Sequence, residues 1–308
     1  MPPVSAERAL WPRLRPWATG LMLLALAAAA AYYTARHWAL VRAHHWQLRW
    51  PWVLAALLAM AAFFLLQAWA WRQAMTWQGV RVPWRAALWA WSRSALARYL
   101  PVPLGMSGSR VYLAVRLGTS PAGAMASHGA ELLGTLAAAA SLSLLALPLW
   151  LPLSPAEAVV AAGLAAFGLV PAGTRGLARL LPRVAPLGHC RLAALAGWSG
   201  AYAAAFLAYG MAHVSVLHAL GVSSPPPPLV LGASALAWAA GTVNVLSPGG
   251  LGTREVVLVS TLQGVLRPPE LLALSAVARL VAVGAELGLF FALWALVGCR
   301  RLQRVEAA

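Results

Sequence analysis

The chain has 308 residues, of which 61% are hydrophobic and 10% charged, whereas soluble domains carry about 25% charged residues. All 23 basic residues are arginine and all seven acidic residues are glutamate, so lysine and aspartate are both absent. The missing lysine excludes a Walker-type phosphate loop, and the missing aspartate excludes paired-aspartate metal sites. The net charge of +16 resides between apolar segments, which favours anionic lipid headgroups over nucleic acid as the counter-charge.

Long apolar segments indicate helices that cross a membrane, because about 20 apolar residues are needed to span its hydrocarbon core. The sequence therefore predicts an all-α, polytopic transmembrane helical bundle. We expect six full spans plus two broken re-entrant hairpins, at about 84–118 and 229–266. One further apolar segment, 229–246, is the first arm of the second hairpin. The apolar segments are 17–35, 51–71, 122–147, 155–172, 192–220, 229–246 and 270–298.

The distribution of arginines predicts the orientation, since cytoplasmic loops carry an excess of positive charge. Seventeen of the 23 arginines lie inside if the N-terminus is cytoplasmic. We therefore expect a cytoplasmic segment at 1–16, a single transmembrane domain at 17–298 and a cytoplasmic tail at 299–308. The expected location is the cell's inner (cytoplasmic) membrane.

Two stretches rich in glycine and proline interrupt apolar helices and predict the hairpin tips. Pro101 aligns with Pro248 when Gly105 is set against Gly252. On the expected topology the hairpins enter from opposite faces, so we interpret the two halves as an inverted repeat, an arrangement that places transporter substrates at broken helices. The alternative is chance similarity between two breaks. The predicted backbone breaks are Pro101, Gly105, Pro248, Gly249, Gly250 and Gly252.

Charged side chains inside apolar spans are costly, so each requires a partner or a water-filled cavity. Arg279 and Glu286 are two helical turns apart and share one face, which should point into the bundle. Glu131 and Arg279 occupy matching repeat positions, and we expect them to approach each other, either as a functional pair or as a static ion pair. The other such residues, Arg254 and Glu255, follow the second break.

His128 lies three residues before Glu131 on one helix face, a spacing compatible with a proton relay, with two metal ligands or with a satisfied interior histidine. Two ligands do not make a metal site, so no metal or other cofactor is predicted. His213 and His218 are five positions apart, share no face and receive no role.

The segment 247–255 predicts an anion site. Its glycines permit close approach of a ligand, the N–H groups at the following helix start can receive an anion, and Arg254 adds positive charge. A phospholipid headgroup is the abundant phosphate in a membrane.

These motifs resemble the transmembrane region of lysylphosphatidylglycerol synthases and its stand-alone, flippase-like relatives. Ser-Pro-Gly-Gly-Leu-Gly-Thr-Arg-Glu-Val-Val-Leu at 247–258 is similar to the family's Pro-Gly-Gly segment, and Ala-Arg-Leu at 278–280 to its following helix. Arg-Tyr-Leu-Pro-Val-Pro-Leu-Gly at 98–105 is similar to its first break, although Pro-Val-Pro replaces Pro-Gly-Lys or Pro-Gly-Arg. Arg110 falls in the arginine-containing helix that follows.

The resemblance implies a membrane protein that moves or handles an anionic or glycosylated phospholipid between leaflets, without the aminoacyl-transferase domain of the bifunctional relatives. The expected headgroup and translocation residues are Arg254, Glu255, Arg279, Glu286, Glu131 and Arg110. Expected partners are phosphatidylglycerol-like or polyprenyl-linked membrane lipids. The alternatives are a membrane-embedded lipid-modifying transferase and a non-catalytic subunit that partners a lipid synthase.

Overall fold

The computed structural model describes residues 48–99, 105–169, 192–244 and 248–307, together with isolated positions between 35 and 42. Within those residues every regular element is a helix. Nine α-helices follow one another along the described chain: α1 Trp50–Trp77, α2 Trp84–Leu96, α3 Gly105–Arg116, α4 Pro121–Ala146, α5 Pro155–Leu169, α6 Leu192–Ala219, α7 Pro227–Val243, α8 Thr253–Leu262 and α9 Pro268–Ala307.

Four helical segments in the described residues are long and apolar enough to cross a membrane: Trp50–Trp77, Pro121–Leu149, Ala193–Ala219 and Pro268–Leu296. They match four of the six predicted full spans. The predicted span at 17–35 lies outside the described residues. The segment at 155–172 is seen only as the 15-residue helix α5, which is shorter than a full crossing requires. Six full spans are therefore not confirmed.

The core of the bundle is formed by α1 packed antiparallel against α6. Trp198 in α6 donates its indole N–H to the carbonyl of Ala70 in α1 at 3.1 Å. Near the other end of the pair, the rings of Trp52 and His218 are 4.6 Å apart. Large aromatic side chains fill the space between these helices and α7, which gives the bundle a dense, nonpolar centre.

Small residues allow helices to approach closely at the edges of this core. A Cβ atom added to Gly134 in α4 would lie 2.4 Å from the ring of Tyr202. One added to Gly232 in α7 would lie 2.2 Å from the Cβ of Ala146. Such contacts are typical of helices packed within a bilayer, where association depends on close van der Waals fit.

Two pairs of helices occupy the regions predicted as hairpins, and we call them the first and the second hairpin. The first consists of α2, a 3₁₀ turn at Ala97–Tyr99 and α3, and the second of α7, a 3₁₀ turn at Pro248–Gly250 and α8. Gly105 is the first residue of α3, whereas Pro101 lies outside the described residues.

The second break depends on glycine. Gly249, Gly250 and Gly252 have φ angles of 62°, 70° and 78°, a left-handed region that side chains with a Cβ rarely adopt. Across the break, the Asn244 side-chain amide donates to the hydroxyl of Thr253 at 2.7 Å. These three glycines are therefore where the backbone of the second break takes left-handed φ angles.

The second hairpin starts at one end of the bundle. The backbone N–H of Arg49 donates to the carbonyl of Ala219 at 2.8 Å, which sets the start of α1 beside the end of α6. Ser143, near the end of α4, donates to the carbonyl of Gly232 at 3.2 Å. The start of α7 follows α6 directly and therefore belongs to the same end.

The first hairpin starts at the opposite end. Arg72, in the last turns of α1, donates from Nε to the carbonyl of Val82 just before α2. The two hairpins meet at their tips, because a Cβ atom on Gly249 would lie 3.3 Å from the carbonyl oxygen of Arg98. The starts of α2 and α7 thus lie at opposite ends of the bundle, and the two breaks touch each other.

Candidate functional site

Glu131 is the centre of a buried polar cluster behind the first hairpin. One carboxylate oxygen lies 3.1 Å from Nη1 of Arg110 and accepts a hydrogen bond from the indole N–H of Trp91 at 3.0 Å. The other lies 3.0 Å from Nδ1 of His128. Helices α2, α3 and α4 each supply part of this cluster, and its four side chains are all buried. The carboxylate therefore ties both arms of the first hairpin to α4.

Arg110 is held between two indole rings. Its guanidinium lies 4.7 Å from the ring centre of Trp91 and 5.2 Å from that of Trp71. The residue is 1% exposed, and none of its nitrogens forms a hydrogen bond of good geometry with a described residue. Its charge is stabilised by the ionic contact with Glu131 and by the two aromatic faces. Arg110 is thus a closed part of the structure, without an open side for a ligand.

Charged side chains also connect the hairpin tips with the last helix. Arg98 lies 3.1 Å from a carboxylate oxygen of Glu286, and the Tyr99 hydroxyl donates to the other at 2.7 Å. The guanidinium of Arg98 lies 5.8 Å from the ring centre of Trp238 in α7. The ion pair therefore connects the first hairpin with α9 at the point where the second hairpin also touches.

Arg254, in the second arm of the second hairpin, packs its side chain against the first arm. The guanidinium lies 3.7 Å above the ring of Trp238. A Cβ atom on Gly241 would come within 2.5 Å of its Cγ, and one on Gly250 within 2.8 Å of its Nε. Because neither Gly241 nor Gly250 has a Cβ atom, space remains between the two arms of the second hairpin, and the Arg254 side chain fills it.

A small open cleft lies beside Arg254, and the empty space at this place, part of which is open solvent, is about 380 Å³. Glu255 and Arg279 lie on its wall and form an ion pair of 3.3 Å, with side chains that are 29% and 20% exposed. The lining residues are Tyr209, His213, Ala237, Arg254, Glu255, Leu258, Ser275, Ala278, Arg279 and Ala282. The cleft is therefore charged on one wall and largely apolar elsewhere.

Three atoms of the charged wall are buried without a hydrogen-bond partner among the described residues. They are Nε of Arg254, Nη2 of Arg279 and Oε2 of Glu255. A buried donor or acceptor without a partner costs about 1–3 kcal/mol. Since two of the three are cationic donors, the wall is suited to a group that supplies anionic oxygen.

The predicted site residues lie in three places, the first of which is the buried cluster that contains Glu131 and Arg110. Arg254, Glu255 and Arg279 come together in the cleft, whereas Glu286 contacts the hairpin tips. The predicted approach of Glu131 to Arg279 is wrong. Glu131 pairs with Arg110 of the preceding hairpin, and Arg279 pairs with Glu255 of its own preceding hairpin, because a short connection holds each long helix against the hairpin before it.

The sequence analysis missed four contributors to these places. Arg98 and Tyr99 precede the first break and could have been identified from their position at a helix end that faces the second break. Tyr209 and His213 line the cleft one helical turn apart, but His213 received no role because it was compared only with His218. In the part of the chain that the structure describes, no group of three or more His, Cys, Asp or Glu could hold a metal ion.

The chain belongs to the family described as the lysylphosphatidylglycerol synthase TM region, whose model matches residues 17–285. No protein with a curated description is similar enough to count as a relative. The family and the long apolar helices together identify a membrane protein related to lipid handling.

Proposed function

We propose that the protein moves a lipid with an anionic or glycosylated headgroup between the two leaflets of the inner membrane, and that the headgroup binds in the cleft of the second hairpin. The observation that carries this proposal is the charged wall of the cleft, which has more positive than negative groups. Arg254 and Arg279 supply two positive charges there, and Glu255 supplies one negative charge. The excess positive charge favours an anion.

A phosphate group fits the unpaired atoms of this wall. Arginine presents planar donors that match phosphate oxygens, and charge-assisted hydrogen bonds of this kind are about twice as strong as neutral ones. The guanidinium groups of Arg254 and Arg279 both line the cleft, and each has a buried N–H without a partner among the described residues. The acyl chains would stay in the surrounding lipid, since the cleft has room for a small polar group and not for two chains.

The opposed hairpins supply a route across the bundle. Their tips meet near Arg98, and the Arg98–Glu286 ion pair closes the space between the tips and α9. A headgroup could pass only if this contact opened. Broken helices that meet near the middle of the bundle are the usual place for substrate in transporters with inverted repeats. Both termini would be cytoplasmic, because the arginine-rich segments then lie inside.

The test is leaflet exchange in proteoliposomes that contain labelled phosphatidylglycerol or a labelled polyprenyl phosphate. We compare the native chain with Arg279→Gln, which removes a cleft charge from a partly exposed position, and with Arg267→Gln as the matched control. Arg267 is exposed in the turn before α9 and lies outside the cleft. Loss of one charge-assisted contact should slow exchange about tenfold or more in Arg279→Gln and leave the control unchanged.

Folding of each variant is checked by its thermal unfolding midpoint before transport is compared. Equal slowing in Arg279→Gln and Arg267→Gln would mean that general surface charge, not the cleft, governs the rate. No exchange of either lipid by the native chain would contradict the proposed function and favour the transferase or the synthase-partner alternative.

A further inference from the structure

The first hairpin contains a hydrogen-bonded chain of serine, histidine and glutamate. The side chain of Ser107 in α3 lies 2.9 Å from Nε2 of His128 in α4, and Nδ1 of the same ring lies 3.0 Å from Oε2 of Glu131. A nucleophile, a base and a residue that orients the base stand in the same order in serine hydrolases, on many unrelated folds. The proposed lipid translocation does not involve these three residues.

The environment of Glu131 sets the direction of both hydrogen bonds. Arg110 and the indole N–H of Trp91 favour an ionised carboxylate, which can only accept hydrogen bonds. Nδ1 of His128 must then carry the proton and donate it to Glu131. Nε2 is left as an acceptor, and the Ser107 hydroxyl donates to it. This is the tautomer that a histidine needs to withdraw a proton from serine.

Ser107 differs from other serines in the bundle. Ser94, Ser127 and Ser143 each donate to a carbonyl of their own helix, which satisfies the hydroxyl locally. The Ser107 hydroxyl instead bonds to the side chain of His128 on a different helix. Its hydroxyl is therefore directed towards a base, where the others are directed towards the backbone.

The position of Ser107 also suits a substrate. It lies in the first turn of α3, where the backbone N–H groups have no partner within the helix and can stabilise a developing oxyanion. The next residue, Gly108, is exposed, and a Cβ atom there would meet nothing within 4 Å. Tyr112, one turn beyond Gly108, is 61% exposed, so the face of α3 next to Ser107 is exposed among the described residues.

We propose that Ser107, His128 and Glu131 form an acyl-transfer site that acts on a carboxylic ester of a lipid. Ser107 Oγ bonds to the ester carbonyl carbon while Nε2 of His128 takes the hydroxyl proton. The carbon–oxygen bond to the alcohol then breaks, and the alcohol leaves with that proton. Water then loses a proton to His128 and bonds to the acyl carbon, the bond between that carbon and Ser107 Oγ breaks, and His128 returns the proton to Oγ as the acid leaves.

Ester plus water thus gives acid plus alcohol, with no redox change. The proposal does not rest on lipid translocation, because it concerns the first hairpin and a different set of residues.

The test uses the full chain in proteoliposomes with a fluorophosphonate probe, which labels activated serines, and with 4-nitrophenyl butyrate as the ester. We expect probe label on Ser107 of the native chain. Ester hydrolysis should fall about 100-fold or more in Ser107→Ala and in His128→Gln, because both remove proton transfer to the base. Ser109→Ala is the matched control, since Ser109 is a partly buried serine on the same helix.

A network that only fastens α3 to α4 would give no label on Ser107, and this result would overturn the proposal. Ser107→Cys keeps the result interpretable if Ser107→Ala does not fold. Its thiol should react with iodoacetamide at least about tenfold faster than that of Ser109→Cys, because the histidine favours the thiolate. Peptide mass spectrometry separates this reaction from that of Cys190 and Cys299. Equal rates in the two cysteine variants would also overturn the proposal.

Discussion

Replacing Glu131 with glutamine should destabilise the bundle, because the change leaves a buried arginine without its counter-charge. Glu131 is 5% exposed and Arg110 is 1% exposed, with 3.1 Å between their charged atoms. Removing one partner of such a pair costs about 3–5 kcal/mol. The rings of Trp71 and Trp91 remain against the guanidinium, so we expect the lower end, about 3 kcal/mol. At about 2 °C per kcal/mol, Glu131→Gln should unfold about 6 °C below the native chain.

The assay is thermal unfolding in detergent micelles, followed by intrinsic tryptophan fluorescence. Arg110→Met combined with Glu131→Gln should recover much of the loss, because the double variant no longer buries an unpaired charge. Glu157→Gln removes the same charge from an exposed helix start and serves as the control, with a much smaller expected shift. A native midpoint in Glu131→Gln, or no recovery in the double variant, would refute the reasoning.

Two further substitutions test the hairpin contacts in the same assay. Gly241→Ala places a Cβ atom 2.5 Å from Cγ of Arg254, and this overpacking should cost about 1–3 kcal/mol. Gly200→Ala is its control, since a Cβ there meets nothing within 4 Å, and a native-like midpoint for both alanines would contradict the packing. Tyr99→Phe removes the hydroxyl that donates to Glu286 and should cost about 1 kcal/mol, the low end because the tyrosine is partly exposed. A Tyr99→Phe midpoint at or above the native value would mean that this hydrogen bond contributes nothing.

The sequence predicted those features of the fold that depend on local chemistry. Uninterrupted apolar segments define the long helices, and four of the predicted spans agree with the structure, three of them within two residues at each end and the first ending six residues early. The second break was also predictable, because consecutive glycines after a proline can adopt positive φ angles that other residues avoid. Composition and glycine pattern are both readable without knowledge of any neighbour in space.

Partners of the buried charges were not predictable by the same means. Glu131 could pair with any arginine that the fold brings near, and the repeat alignment suggested Arg279. Arg110 is 21 residues before Glu131, and Glu255 is 24 residues before Arg279. A better signal was available in the short connections between each hairpin and its next helix, because consecutive elements joined by short loops usually pack together.

The observed partners show a parallel between the two halves that the predicted pair did not. In the first half, the second arm of the hairpin supplies Arg110 and the next long helix supplies Glu131. In the second half, the arm supplies Glu255 and the long helix supplies Arg279. Each half therefore joins its hairpin to the following helix by one ion pair, with the signs of the charges exchanged.

The exchange of signs gives the two halves different chemical capacities. The first pair is fully buried, and its arginine is enclosed by indole rings, so it favours a fixed hairpin. The second pair is partly exposed on the wall of a cleft, beside Arg254. A buried pair at the first hairpin and a partly exposed pair at the second are consistent with the proposed headgroup site at the second hairpin.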